Sequence, residues 1–209
     1  MSYDHIFDQL DIRTEPFAIC EIHGTCHVAL KPDAAVTLHY ILGGQGQITT
    51  RGHAPIRISK GSLVLIPSLN SHEVLNDGAM IVPGPSCKPA ALNLAQVLKS
   101  APDESAGSAR RLIALCAHVK IGLMGATDVV NLIREPLVTR AEPGSDLMAL
   151  VDTLMHEVCE PSMGSRALIR VLLMQALIVM MRKRMTEQGG PLDWMAALRD
   201  PMLWKALNA

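Results

Sequence analysis

The sequence predicts a mainly β protein with an α-helical tail: an antiparallel β-barrel of the jelly-roll type over residues 1–125, then a helical segment over 126–209. Three observations predict it. Short apolar segments recur at close, even spacing through the first half of the chain. Each is bounded by residues suited to tight turns. After Ser145 the apolar period changes from that of strands to that of helices.

Strands are expected at 17–22, 26–30, 36–42, 45–50, 56–59, 63–66 and 73–75. The breaks between them are His23-Gly24, Lys31-Pro32-Asp33, Gly43-Gly44, Arg51-Gly52, Lys60-Gly61 and Asn76-Asp77-Gly78. These residue types supply the unusual backbone angles that reversals need. Many short strands so spaced favour a barrel or jelly roll over a parallel sheet. The stretch 84–107 is rich in Pro, Ala and Ser and reads as a loop, with a short helix at 90–98. One more strand is expected at 111–121. Helices are expected at 146–158 and 165–185, the second stopped by Gly189-Gly190-Pro191. Two short helices, 194–199 and 202–207, complete the pattern.

Composition bounds the function. Hydrophobic residues make up 49% of the 209 and charged residues 19%, enough for a sizeable core. Nineteen Lys and Arg against twenty Asp and Glu give a net charge of −1. A domain that grips DNA by itself is usually clearly basic, so these residues are not expected to hold DNA directly. The start has neither a basic nor an apolar signal region, and the longest apolar run, 171–181, is interrupted by Gln175. No membrane partner is expected, and a cytoplasmic location is. Five cysteines at irregular spacing, with no Cys-x-x-Cys, suit a reducing compartment and exclude a disulfide scaffold.

Two segments carry a family resemblance. Leu38-His39-Tyr40-Ile41-Leu42-Gly43-Gly44-Gln45-Gly46 resembles the strand–turn–strand of a cupin. Gly61-Ser62-Leu63-Val64-Leu65-Ile66-Pro67 followed by His72 resembles the second cupin motif. Further along, Pro191-Leu192-Asp193-Trp194-Met195-Ala196-Ala197-Leu198-Arg199-Asp200-Pro201 is similar to the region that joins the cupin-like effector domain to the DNA-binding domain in one branch of the AraC family of transcription regulators. The resemblance implies a ligand-sensing and dimerisation domain that binds a small-molecule effector in its barrel. It implies contact with DNA only through two helix-turn-helix units, which would begin after Ala209. On that pattern the chain is a piece of a longer regulator or a natural remnant, and the first is expected because the sequence stops inside a helical pattern. Two departures separate it from metal-dependent cupin enzymes, the alternative reading as an isomerase or dioxygenase. Leu30 to Asp33 and Thr37 stand where the resemblance would place His-x-His and Glu. The expectation is therefore a sensor and not an enzyme.

The candidate effector-binding residues are His39, His72, Thr37 and Ile41. His39 lies two residues beyond Thr37, so both share one face of a strand. Cys116 and His118 are likewise two apart. His39, His72, Cys116 and His118 together form a candidate set for zinc or another divalent transition metal, although no cofactor is demanded by the pattern. Against this, Ile113, Leu115, Val119 and Ile121 occupy the opposite face, and if that face is the core then Cys116 and His118 point outward. The ordinary reading is barrel histidines satisfied by their surroundings. Cys20 and Cys26 flank His23 and read as small buried hydrophobes. No nucleophile constellation and no phosphate loop stands out; Gly43-Gly44-Gln45-Gly46 is a hairpin.

Twelve methionines are many for this length. Several lie on the helix 165–185, whose apolar residues, by their spacing, are expected to cover more than one face. A helix of that kind is expected to pack on a second copy, making a homodimer through Leu173, Leu177, Met180 and Met181.

Overall fold

The computed structural model describes residues 3–14, 17–23, 28–30, 35–76, 111–123, 133–187, 195–196 and 199–207. A short helix, α1 (Tyr3–Asp8), precedes ten strands: β1 (Leu10–Arg13), β2 (Phe17–His23), β3 (Val28–Leu30), β4 (Val36–Gly43), β5 (Gln45–Thr50), β6 (Ile56–Ser59), β7 (Ser62–Ile66), β8 (His72–Asn76), β9 (Arg111–Leu123) and β10 (Leu137–Arg140). Three helices follow: α2 (Asp146–Cys159), α3 (Ser165–Glu187) and α4 (Pro201–Leu207). All strand pairs are antiparallel, as a jelly roll requires.

The strands divide into two sheets. The larger runs β1-β9-β4-β7-β10, with β2 also paired to β9; the smaller runs β3-β8-β5-β6. Strand β9, at 13 residues, is long enough to hold β2 along 111–117 and β1 along 120–123 on one edge, and β4 on the other. Turn chemistry sets the corners. Gly61 sits at φ +84°, where a side chain would be strained, and its N–H donates to the Ile41 carbonyl at 2.8 Å. At Gly46 a Cβ would fall 2.1 Å from the Leu75 carbonyl oxygen, so only glycine lets β5 approach β8 this closely.

The central strands of the larger sheet, β4, β7 and most of β9, are buried on both faces. Ile48, Ile58, Val64, Ile66, Val74, Leu112 and Ala114 join Ile41 in an inner core between the sheets. Leu38, Tyr40, Leu63, Leu65, Ile113, Leu115, Val119 and Ile121 face the other way and pack against α2 and α3. The alternation along β9 is thus between two apolar environments, which is why the strand reads as almost continuously hydrophobic.

Helix α2 starts where the Ser145 hydroxyl accepts from the Met148 N–H at 3.2 Å, satisfying one of the donors left free by the first turn. It buries Leu147, Leu150, Val151, Leu154 and Val158. Helix α3 buries Ile169, Leu173, Ala176, Leu177, Met180 and Met181, a single stripe at helical spacing. None of the described helices is long and apolar enough to cross a membrane.

Most strand expectations hold within two residues, and the helices at 146–158 and 165–185 are lengthened by one and two residues. Strands β1 and β10 and helix α1 went unforeseen. Because β10 pairs with β7, the barrel does not end at residue 125 as expected; it takes its last strand from residues 137–140. The expected helix at 90–98 lies outside the described residues, as does half of that at 194–199. The larger correction concerns α3. Leu173, Leu177, Met180 and Met181 are at most 1% exposed within the single chain, so their own α2 and sheet cover them and they are not free to meet a second copy. Leu168 and Val171 are the exposed large apolar residues of this helix.

Truncating Leu173 to alanine should therefore cost about 2–5 kcal/mol, the range for removing a buried leucine side chain. Urea denaturation checks this; a loss under about 1 kcal/mol would show that Leu173 is not a core residue.

Candidate functional site

The inner face of the larger sheet brings together side chains from four strands. On β4, Thr37, His39 and Ile41 point into the barrel. On β9, Cys116 lies directly across from His39, and His118 across from Thr37. Strand β2 sets Cys20 one diagonal step from Cys116, since Ala18 is Cys116's direct partner and Cys20 is Ala114's. From the opposite sheet, β8 brings His72.

These groups form a chain of contacts. The Cys116 Sγ lies 3.2 Å from His39 Nδ1, and His39 Nε2 lies 2.6 Å from His72 Nε2. His72 Nδ1 lies 3.4 Å from the Asn70 carbonyl oxygen. The two rings meet edge-to-face, with centroids 4.8 Å apart. The carbonyl only accepts, so it sets the order of the protons. His72 donates from Nδ1 and accepts at Nε2. His39 donates from Nε2 and accepts at Nδ1, from the Cys116 thiol. Both imidazoles are neutral in this arrangement.

Burial enforces that neutrality. His39 is fully buried, and desolvation, reinforced by His72 and His118, brings its pKa down to about 3. His72 is lowered too, by burial, while its bond to the Asn70 carbonyl works in the other direction. The loop that supplies this carbonyl holds Leu69 at φ +63°, a backbone conformation that costs a non-glycine residue about 1–2 kcal/mol.

The structure decides the question of facing. Cys116 and His118 point into the barrel, although Ile113, Leu115, Val119 and Ile121 are also core, because the latter belong to the outer core under the helices. Thr37 and Ile41 are buried, and Ile41 packs in the inner core. The expected metal set fares differently. Cys116 engages one ring nitrogen of His39 and His72 the other, on opposite sides of the imidazole, so the three donors do not converge on a point. Among the described residues, no group of three or more His, Cys, Asp or Glu side chains is arranged to hold a metal ion. The described residues do not fit the metal centre of a cupin enzyme.

Two residues were missed by the sequence reading. Thr50 on β5 lies directly across from His72, and Asn76 ends the inward row His72, Val74, Asn76 on β8. Thr50 is 7% exposed and Asn76 5%, yet the Thr50 hydroxyl and both ends of the Asn76 amide have no hydrogen-bond partner among the described residues. Each is a strand-end polar residue, and nothing in the sequence separates it from a solvated one. A concavity of about 410 Å³ lies outside the barrel between β1, β9 and α3, lined by Ile12, Arg13, Lys120, Arg170, Val171 and Met174.

The lowered histidines imply a pH dependence. The unfolded chain binds protons at the ordinary histidine pKa of about 6.5, the folded one at lower pH. Their contribution is therefore full above about pH 6.5 and is lost as pH falls towards the folded value of about 3. Chemical denaturation across this range should show stability falling with pH. His39→Gln should flatten the fall relative to its own value at pH 7.5; an unchanged slope would contradict a buried neutral His39.

Comparison with known proteins agrees with this architecture. A family model described as Cupin matches residues 4–186. No curated protein matches the sequence. Among solved structures, ToxT from Vibrio cholerae with an unsaturated fatty acid bound is similar at 10% identity, covering 90% of this chain and 64% of that one, with a TM-score of 0.45. A predicted oxalate decarboxylase from Thermotoga maritima is similar at 16% identity, covering 59% of this chain and 76% of that one, with a TM-score of 0.32. The DMSP lyase DddQ from Ruegeria pomeroyi is similar at 14% identity, over 70% and 61%, also with a TM-score of 0.32. The chain thus spans under two thirds of ToxT and of DddQ, and likenesses this distant assign no activity to it. The match over residues 4–186, with two facing antiparallel sheets and motif histidines from both of them, places the chain in the cupin family.

Proposed function

We propose that this chain is the effector-binding domain of an AraC-type transcription regulator, and that a small polar molecule binds inside its barrel beside His39, His72, Thr37 and Ile41. One observation carries the reading. The Thr50 hydroxyl and the Asn76 amide are buried in the barrel with no hydrogen-bond partner among the described residues. A buried unpaired polar group costs about 1–3 kcal/mol, and a ligand that pairs with it recovers that cost. Thr50 stands beside the imidazole pair, so donors and acceptors line one end of the inner core.

The response follows from the shared sheet. A ligand that binds one position of β4 and β9 better than another shifts the population between them. The reverse faces of those strands hold α2 and α3, so the shift reaches the helices. In this reading the chain is a sensor and not an enzyme, working in the cytoplasm, and DNA contact belongs to helix-turn-helix units outside these residues. A homodimer of this domain would use the exposed Leu168 and Val171, not the buried stripe of α3.

Two measurements test the reading. A thermal-shift screen of small polar metabolites should yield a stabilising ligand, since whatever binds only the folded state raises its stability. Thr50→Val should abolish that shift while raising ligand-free stability by up to about 1 kcal/mol, because an unpaired buried hydroxyl is replaced by a methyl group. A ligand that stabilises wild type and the Thr50→Val variant equally would place the site elsewhere. For the dimer, Val171→Glu should convert sedimenting dimers to folded monomers; wild-type protein that sediments as a monomer at micromolar concentration would remove that part of the proposal.

A further inference from the structure

The concavity outside the barrel takes its walls from three elements. Strand β1 gives Ile12 and Arg13, β9 gives Lys120, and α3 gives Arg170, Val171 and Met174. Its volume of about 410 Å³ falls within the range of small-molecule sites, about 300–1,000 Å³. The walls are fixed to one another. Thr14, which also lines the concavity, is 4% exposed, and its hydroxyl donates to the Arg170 carbonyl at 3.4 Å, so the end of β1 is tied to α3. Ile12 packs against the outer core.

The charge of this wall is one-sided. Arg13, Lys120 and Arg170 are cations, and no acidic residue lines the concavity. Arg13 stands directly across from Lys120 in the β1–β9 pair, where like charges repel. Asp11 offsets part of that repulsion through an ion pair with Arg13 at 2.9 Å, but both side chains are well exposed and such a pair is weak. Arg170 is also engaged within the chain. Lys120 has no ion-pair partner among the described residues. Beside the cations lie Ile12, Val171 and Met174, which offer an apolar surface to the same space.

We propose that this concavity binds a small organic phosphate, a phosphate monoester on an apolar body. A monoester carries roughly two negative charges near pH 7 and three strong acceptor oxygens. It therefore meets cations from two strands and a helix at once, whereas a carboxylate brings one charge and two oxygens. The guanidinium fork suits phosphate oxygens, and the lysine ammonium adds a point charge. The organic part lies against Ile12, Val171 and Met174, where the flexible thioether of Met174 adapts to its shape. Such an occupant touches the edge of the larger sheet and α3 together. Its binding favours the arrangement in which the two are apposed. The site shares no residue with the barrel site.

Isothermal titration calorimetry on the whole chain tests the site with phenyl phosphate, benzoate and inorganic phosphate as probes. Phenyl phosphate should bind about tenfold more tightly than either of the others, since each of them lacks one half of the recognition. Lys120→Gln and Arg170→Gln replace exposed side chains, and each should weaken phenyl phosphate by about tenfold, the loss of one charge-assisted hydrogen bond. Arg140→Gln, exposed on β10 at the opposite edge of the same sheet, should leave the affinity unchanged. Inorganic phosphate bound as tightly as phenyl phosphate would show attraction of charge without an organic site. Benzoate bound as tightly would remove the assignment to phosphate. Equal affinity in wild type and both variants, or no binding of phenyl phosphate at all, would show that the concavity is not its site. Each of these outcomes overturns the proposal, and the comparison of probes on wild type needs no variant. Failure of the thermal-shift screen for the barrel leaves this result standing, and the reverse holds too.

Discussion

A sheet with a core on each side is the constraint on which this molecule depends. Strand β9 presents Leu112, Ala114 and Cys116 to the space between the sheets, and Ile113, Leu115, Val119 and Ile121 to the helices. From Leu112 to Val119 the strand is packed on both faces, so each of these residues must suit one of two packed environments, and Lys120 beyond them is exposed. Strand β4 obeys the same rule, with His39 and Ile41 on one side and Leu38, Tyr40 and Leu42 on the other. The helices are the second half of the sheet's burial, and α3 in turn owes its stripe of Leu173, Leu177, Met180 and Met181 to the surface the sheet offers.

The polar groups inside the barrel follow from that arrangement. An imidazole pair, the Cys116 thiol and two side chains without described partners sit in a space otherwise lined with isoleucine, valine, leucine and alanine. In such surroundings a charge is costly and a directed hydrogen bond is worth more than in water. The chain of contacts from Cys116 through His39 and His72 to Asn70 is neutral at each member. That is a different chemical solution from a metal centre, where several donors would converge on one ion. The cupin scaffold is kept here, and among the described residues no such donor set converges.

Much of this was legible in the sequence, and the reasons for the rest are specific. The strands from β2 to β8 announced themselves because glycine, proline, asparagine or aspartate bounds each of them. Strands β1 and β10 are four residues long, too short for alternation to rise above chance. His39 and His72 were recognisable from their motifs, and their meeting at 2.6 Å is what the fold adds. The facing of Cys116 was unreadable because alternation between two apolar environments leaves no pattern to phase. Thr50 and Asn76 look like strand-end residues and only their burial marks them. The supposed dimer contacts of α3 erred for the same reason as β9: periodicity shows that a face is apolar, and says nothing about which partner covers it.

The position of β9 in the chain has a consequence for how the protein is made. Residues 111–123 pair with 10–13, 17–23 and 36–43, so the strand that joins these others arrives some seventy to a hundred residues after them during synthesis. The local reversals, β4 with β7 and β5 with β6 and β8, can form as they emerge. Strands β1 and β2 must wait with unpaired edges, and exposed edges are templates for pairing with the wrong chain. Contacts of such long sequence separation also slow folding. A nascent chain that has emerged only as far as residue 76 therefore holds half a barrel with an open seam, and its safest course is to be finished quickly.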